Sequence, residues 1–244
     1  MKNTFTALAD GGNTFTRRWG TKNTVVDPYI TGYHFTKWAY LPAKISESVG
    51  STGVGDVSGI GAGQIKRILE SACLSVTIPG SVLNKTEFNG LGNIRWSAPT
   101  NVDVDNNTTM RFLETSGLPI SSIAHGWIRM IRDYKTGASL LVSNDDYTKS
   151  NYAGTVYYWT TEPNGRVVEF SSCMTGVFPL RDPSDQFGHD ITAYDKLEID
   201  IDFNVDYMWR EGWTKTQCQN YADSYHSVGT SAVQTYGSED SAEG

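Results

Sequence analysis

Residues 197–209 alternate without a break. Leu197, Ile199, Ile201, Phe203, Val205, Tyr207 and Trp209 are apolar or aromatic; between them stand Glu198, Asp200, Asp202, Asn204, Asp206 and Met208. Successive side chains of a strand point to opposite faces, so the pattern predicts one long strand with an apolar face and an acidic face. At ~3.3 Å per residue such a strand would span roughly 40 Å, well beyond the usual five or six residues. Asp is a poor strand former, and like charges along one face repel. A strand that keeps four acids on one side is expected to have a use for a negative surface.

The charge distribution bears on that use. The chain has 244 residues and a net charge of −7. From residue 194 onward there are ten acids and only Lys196, Arg210 and Lys215 to oppose them. The rest of the chain balances to zero, so the whole excess lies in the last fifth. Such a surface repels nucleic acid phosphates rather than gripping them. The length suits one large β domain or two small ones, and 39% hydrophobic with 19% charged residues is a globular composition. No apolar run approaches ~18 residues and no apolar stretch follows Lys2, so the expectation is no membrane insertion and maturation in the cytoplasm.

Catalytic and metal chemistry find little footing. Cys73, Cys173 and Cys218 are far apart and odd in number, and are expected as reduced thiols rather than a disulfide framework. His34, His125, His189 and His226 are isolated, with no paired-ligand spacing, so no metal or other cofactor is expected. Gly59, Gly61 and Gly63 imitate a phosphate loop but lack the glycine spacing and the preceding apolar strand. Glycosidase carboxylates flank a cleft from separate elements, whereas these acids share one strand. The expectation is therefore a protein that is not an enzyme, and an ordinary solvated outer face is the plain alternative for the acidic row.

Along the chain, residues 1–28 read as a polar arm. Residues 29–213 form a β domain with a Gly-rich insertion near 43–71, and 214–244 form a polar C-terminal extension that joins no core. Strands are predicted at 29–41, 72–78, 93–96, 102–113, 155–161 and 166–173, the last two joined by a Glu-Pro-Asn-Gly turn. Residues 46–63 read as a flexible loop, followed by a short helix at 64–70. A second helix starts at Pro119 and ends at Gly137. Its stripe, Ile120, Ile123, Ala124, Trp127, Ile128 and Ile131, is expected to be core, together with Ile199, Ile201, Phe203 and Val205.

The order of these features resembles a known family. A strand ends in Ile78-Pro79-Gly80, a helix carries Trp127, and a hairpin runs into Gly176-Val177-Phe178-Pro179. Last comes the alternating acidic strand, closing on Tyr207 and Trp209. This resembles the tail-tube proteins of contractile-tailed bacteriophages, whose fold family includes type VI secretion tubes and phage-derived injection machines. The resemblance implies a mainly β fold of two packed antiparallel sheets with one flanking helix. It implies a hexameric ring that stacks into a hollow tube in the virion, with tail sheath, baseplate and tail terminator proteins as partners. It gives the acids a role: Glu198, Asp200, Asp202 and Asp206 would line a lumen through which viral DNA passes without binding. A baseplate tube-initiator or injection-machine tube is the nearest alternative, and a carbohydrate-binding β-sandwich the more distant one.

Overall fold

A computed structural model describes residues 32–49, 59–89, 95–139, 141, 148–187 and 196–239. The expected arm at 1–28 and His189 lie outside the described residues. Nine strands and five helices are found among the described residues. They are β1 (His34–Tyr40), α1 (Ile45–Val49), α2 (Ala62–Ala72), β2 (Cys73–Val76), β3 (Ser81–Asn89), β4 (Arg95–Val104), β5 (Asn107–Leu113), α3 (Pro119–Ile131), α4 (Lys149–Tyr152), β6 (Gly154–Thr161), β7 (Val168–Pro179), β8 (Glu198–Asn204), β9 (Tyr207–Trp209) and α5 (Gly212–Glu239). A single 3-10 turn, Pro183–Gln186, precedes β8.

The fold is mainly β and antiparallel. Seven strands form one sheet in the order β1-β6-β7-β8-β5-β2, with β9 added beside β7, and β3-β4 form a separate two-stranded ribbon. The expected pair of sheets is thus one hydrogen-bonded sheet bent into two leaves, and neither leaf closes on itself. The bend is local. Gly176 sits in β7 with φ +71°, and the register with β6 shifts there. An extra residue in a left-handed conformation is a β-bulge, which turns the strand. Beyond it, Phe178 and Pro179 pair with Asn204 and Phe203 of β8, while the earlier part of β7 pairs with β6 and β9.

The main core fills the angle between the leaves. Trp38 of β1, Trp127 of α3 and Phe203 of β8 meet edge to face, with centroids 5.7–6.2 Å apart. Ile199, Ile201, Phe203 and Val205 are all buried, so the apolar side of β8 faces inward under α3. Ile120, Ile123, Ala124, Trp127 and Met130 are buried on α3. Ile128 and Ile131 are only half-buried. This corrects the expected stripe, and α1 supplies the reason. A Cβ at Gly126 would stand 2.9 Å from the Val49 Cα, so α1 rides directly on Gly126 and pulls the buried face toward positions 126 and 130. The helix also stops early, at Ile131, with Arg132 extended; Gly137 (φ +65°) belongs to the turn that follows.

The start of α3 is fixed by a carboxylate six residues away. Pro119 has no N–H to satisfy, and its preceding residue, Leu118, is left-handed (φ +52°) with no capping side chain. The buried Glu114 accepts instead from the N–H groups of Ile120 (3.1 Å) and Ser121 (2.8 Å) and from Ser121 Oγ (2.6 Å). A negative charge is thereby held against the positive end of the helix.

Two expectations about loose segments change. Within 43–71, α2 answers to the helix expected at 64–70, and its Ile65 and Leu69 are fully buried. α1, with Ile45 and Val49 buried, stands where the sequence predicts the loop to begin; residues 50–58 of the Gly-rich loop lie outside the described residues. Nor is 214–244 a polar tail that joins no core. It falls mostly within α5, which lays Thr214, Cys218 and Ala222 against the outer face of β6 and β7. There Cys218 and Ala222 join Trp159 and Val168 in a second apolar cluster. Finally, β1 is an edge strand whose outward backbone is covered by α2: Glu70 Oε1 accepts from the Trp38 N–H at 2.8 Å, and Lys66 Nζ donates to the Ala39 carbonyl at 2.9 Å.

Candidate functional site

The acidic strand is shorter than expected. The alternating run breaks at Val205 and Asp206 into β8, which pairs with β5, and β9, which pairs with β7. Asp206 sits at the break. Its carboxylate packs so closely over Gly176 that a Cβ there would collide with it, and it bonds the Asn204 amide (3.0 Å) and the Lys149 ammonium. The strand cannot run straight past the bulge, because β9 must follow the first leaf while β8 follows the second.

Glu198, Asp200 and Asp202 do share the face of β8 opposite the core, each half-buried. None stands alone. Asp200 takes a two-pronged contact from Arg111 of β5 (Nε 2.7 Å, Nη2 3.0 Å), directly across the ladder. Glu198 pairs with Lys196 at 2.6 Å and lies 3.7 Å from Arg111 Nη1. Asp202 accepts from Thr109 Oγ1 at 2.6 Å. Asp200 and Glu198 together push the Arg111 guanidinium above its ordinary pKa. The surplus negative charge is consequently smaller than the sequence suggests, since Arg111, Lys196 and Lys149 oppose the four carboxylates.

Sequence reading missed the β3–β4 ribbon as a unit. It placed a strand across 102–113, but Asp105 and Asn106 form a turn, with Asp105 Oδ1 accepting from the Asn107 N–H at 3.1 Å. The ribbon carries Val82, Leu83, Phe88, Trp96, Val102 and Val104, each between 44% and 63% exposed. The register, shifted once between Leu83 and Lys85, puts Phe88 with Trp96 on one face and Leu83 with Val102 on the other. Both faces are therefore open. None of these side chains belongs to either core cluster. Val82 and Leu83 are adjacent and the polar residues 84–87 part them from Phe88, so 81–89 show no period-2 alternation by which the sequence could mark the strand.

The motif residues also have definite places. Gly176 forms the bulge, Phe178 packs on Tyr152 with centroids 5.7 Å apart, and Pro179 is buried at the end of β7. Tyr207 and Trp209 are exposed on β9. The three cysteines are free thiols, and burial pushes Cys73 up to about 11 and Cys218, beside Cys173, up to about 12. Among the described residues no three His, Cys, Asp or Glu side chains cluster as a metal site. Among them, too, no helix is long and apolar enough to cross a membrane.

No family model and no curated protein matches the sequence. Solved structures do. A chain in the anti-feeding prophage baseplate structure shares 8% identity at a TM-score of 0.44, over 77% of this chain and 98% of its own. A chain in the sheath/tube terminator structure of the PVC extracellular contractile injection system shares 14% at 0.43, over 78% and 100%. A chain in that system's extended sheath-tube complex shares 13% at 0.42, over 77% and 95%.

Proposed function

We propose that this chain is a structural subunit of a contractile-tail-type particle, assembling as rings of six that stack into an inner tube. The observation that carries the reading is the β3–β4 ribbon. An isolated two-stranded hairpin is marginal in water, and this one exposes apolar side chains on both faces that no core cluster of the described residues covers. Contact with other subunits would cover it. The motif order in the sequence points the same way, as does an open sheet whose last strand, β2, has no neighbouring strand beyond it among the described residues. Sheath, baseplate and terminator proteins are the expected partners.

In this reading Glu198, Asp200 and Asp202 face the lumen, with Asp206 at its margin, and their modest surplus over the neighbouring cations lets DNA slide. Light scattering and negative-stain microscopy of the purified protein test the assembly directly. Rings or tubes are expected; a monomer at every concentration would end the proposal. For the lumen, Glu198→Lys, Asp200→Lys and Asp202→Lys together are expected to give tubes that hold DNA at low salt and release it at high salt. Asp206 is left intact because of its packing over Gly176.

A further inference from the structure

Besides the ribbon, the described residues include a second exposed apolar surface, a run of aromatic rings where β9 enters α5. Tyr207, Trp209 and Trp213 are between 40% and 68% exposed. Their centroids follow one another at 6.4 and 6.3 Å, and Trp213 then stands 6.5 Å from Tyr157, perpendicular to it. The run is held in place: Trp213 Nε1 donates to Glu211 Oε2 at 3.1 Å, and β9 is pinned in register beside β7. On the ribbon, Phe88 and Trp96 form a matching ring pair, 5.3 Å apart.

The two surfaces share a root but cannot meet within one chain. Arg210 Nη2 donates to the Pro79 carbonyl at 2.7 Å, so the base of the ribbon adjoins β9. Phe88 lies nine residues along from Pro79, a distance of roughly 30 Å in an extended strand. A hydrogen-bonded ribbon does not fold back on itself over that length, so its outer end is carried away from its own aromatic run. The area also suits a second copy. Aromatic side chains offer about 150–250 Å² each, and the five rings that would meet are about half exposed, so their contact covers roughly 500 Å² of apolar surface. That is about the apolar share of a specific interface of ~1,000 Å².

We propose that the ribbon of one copy lays Phe88 and Trp96 on the Tyr207, Trp209 and Trp213 run of the next copy. The proposal rests on the self-assembly reading above but not on the tube. The contact is head-to-tail, so each copy offers one donor and one acceptor, and the chain of contacts continues from copy to copy.

Head-to-tail geometry makes a complementation test possible. One variant carries Phe88→Ser and Trp96→Ser, the other Tyr207→Lys and Trp213→Lys; all four side chains are exposed, and circular dichroism checks that both variants fold. Each alone is expected to associate at least about tenfold more weakly than the unaltered protein, as for the loss of central aromatic anchors. Mixed in equal amounts, they retain one intact donor and one intact acceptor and are expected to form a 1:1 heterodimer. A folded mixture that stays monomeric, or an acceptor variant that assembles undiminished, overturns the docking while leaving the assembly proposal standing. An unaltered protein that never associates overturns both. A photo-cross-linker at position 96 gives an independent reading. Links to residues 207–215 of an isotopically distinct copy are expected, and links confined to any other segment overturn the assignment.

Discussion

Strands β8 and β3 both carry apolar side chains set among polar ones, and the chain treats them in opposite ways. In β8, Ile199, Ile201 and Phe203 disappear beneath α3 and the Trp38 ring. In β3, Val82, Leu83 and Phe88 stay in solvent, although β3 is the longer strand. The difference is the presence of a cover. A helix with its own apolar face crosses β8, whereas among the described residues the ribbon's apolar side chains join no core cluster. Burial in β8 stabilises the subunit; exposure in β3 leaves apolar surface available for association. Apolar side chains in a strand mark a surface to be covered, without saying which molecule covers it.

Substitutions can break or sharpen this contrast. The largest effect is expected for Phe203→Ala or Trp127→Ala, each about 3–5 kcal/mol in denaturant unfolding, because a large side chain leaves a packed core. A loss under ~1 kcal/mol would mean that the cover over β8 is not the stabilising feature. Next comes Glu114→Ala, which strips the start of α3 of its acceptors. A cost of about 1–3 kcal/mol is expected, with helical content lost first near residue 120 in hydrogen exchange. The smallest effect is expected for Trp96→Ser, within about 0.5 kcal/mol of the unaltered protein in a monomeric assay. Its consequence should appear only in association. A Trp96→Ser subunit that melts far below its parent would show that the ribbon is part of the fold after all.

The thiols give a check on the second layer. Burial and the neighbouring Cys173 raise Cys218 to about 12, so its reactive thiolate is scarce at pH 8 in the folded protein. Slow alkylation of Cys218, accelerating only on unfolding, is the expected result. Fast labelling in native buffer would mean that α5 lifts off the sheet.

What the sequence made legible follows the range of the interactions. The apolar face of β8, the start of α3 at Pro119 and the turn at residues 162–165 depend on neighbours a few residues away. The break at Val205 and Asp206 does not: it depends on Gly176 bending β7, and no local pattern reveals that. α5 was hidden for a different reason. Its buried positions, Thr214, Cys218 and Ala222, are small and four residues apart, so they form a close-approach stripe with little hydrophobic signal. Ile128 and Ile131 looked like core because the approach of Val49 to Gly126 could not be foreseen. In the acidic row, the cancelling Arg111 comes from a strand 89 residues away.

The cover over β1 has a consequence for growth. A bare edge at Trp38 and Ala39 would accept any passing strand, and a sheet open on both sides can lengthen indefinitely, as in fibrils. Glu70 and Lys66 occupy those backbone groups from α2, while among the described residues no strand lies beyond β2. The sheet therefore has a blocked end and a receptive end. Strand-by-strand extension between copies through those two edges stops at one step, and larger order has to come from side chains that fit rather than from backbone that merely pairs.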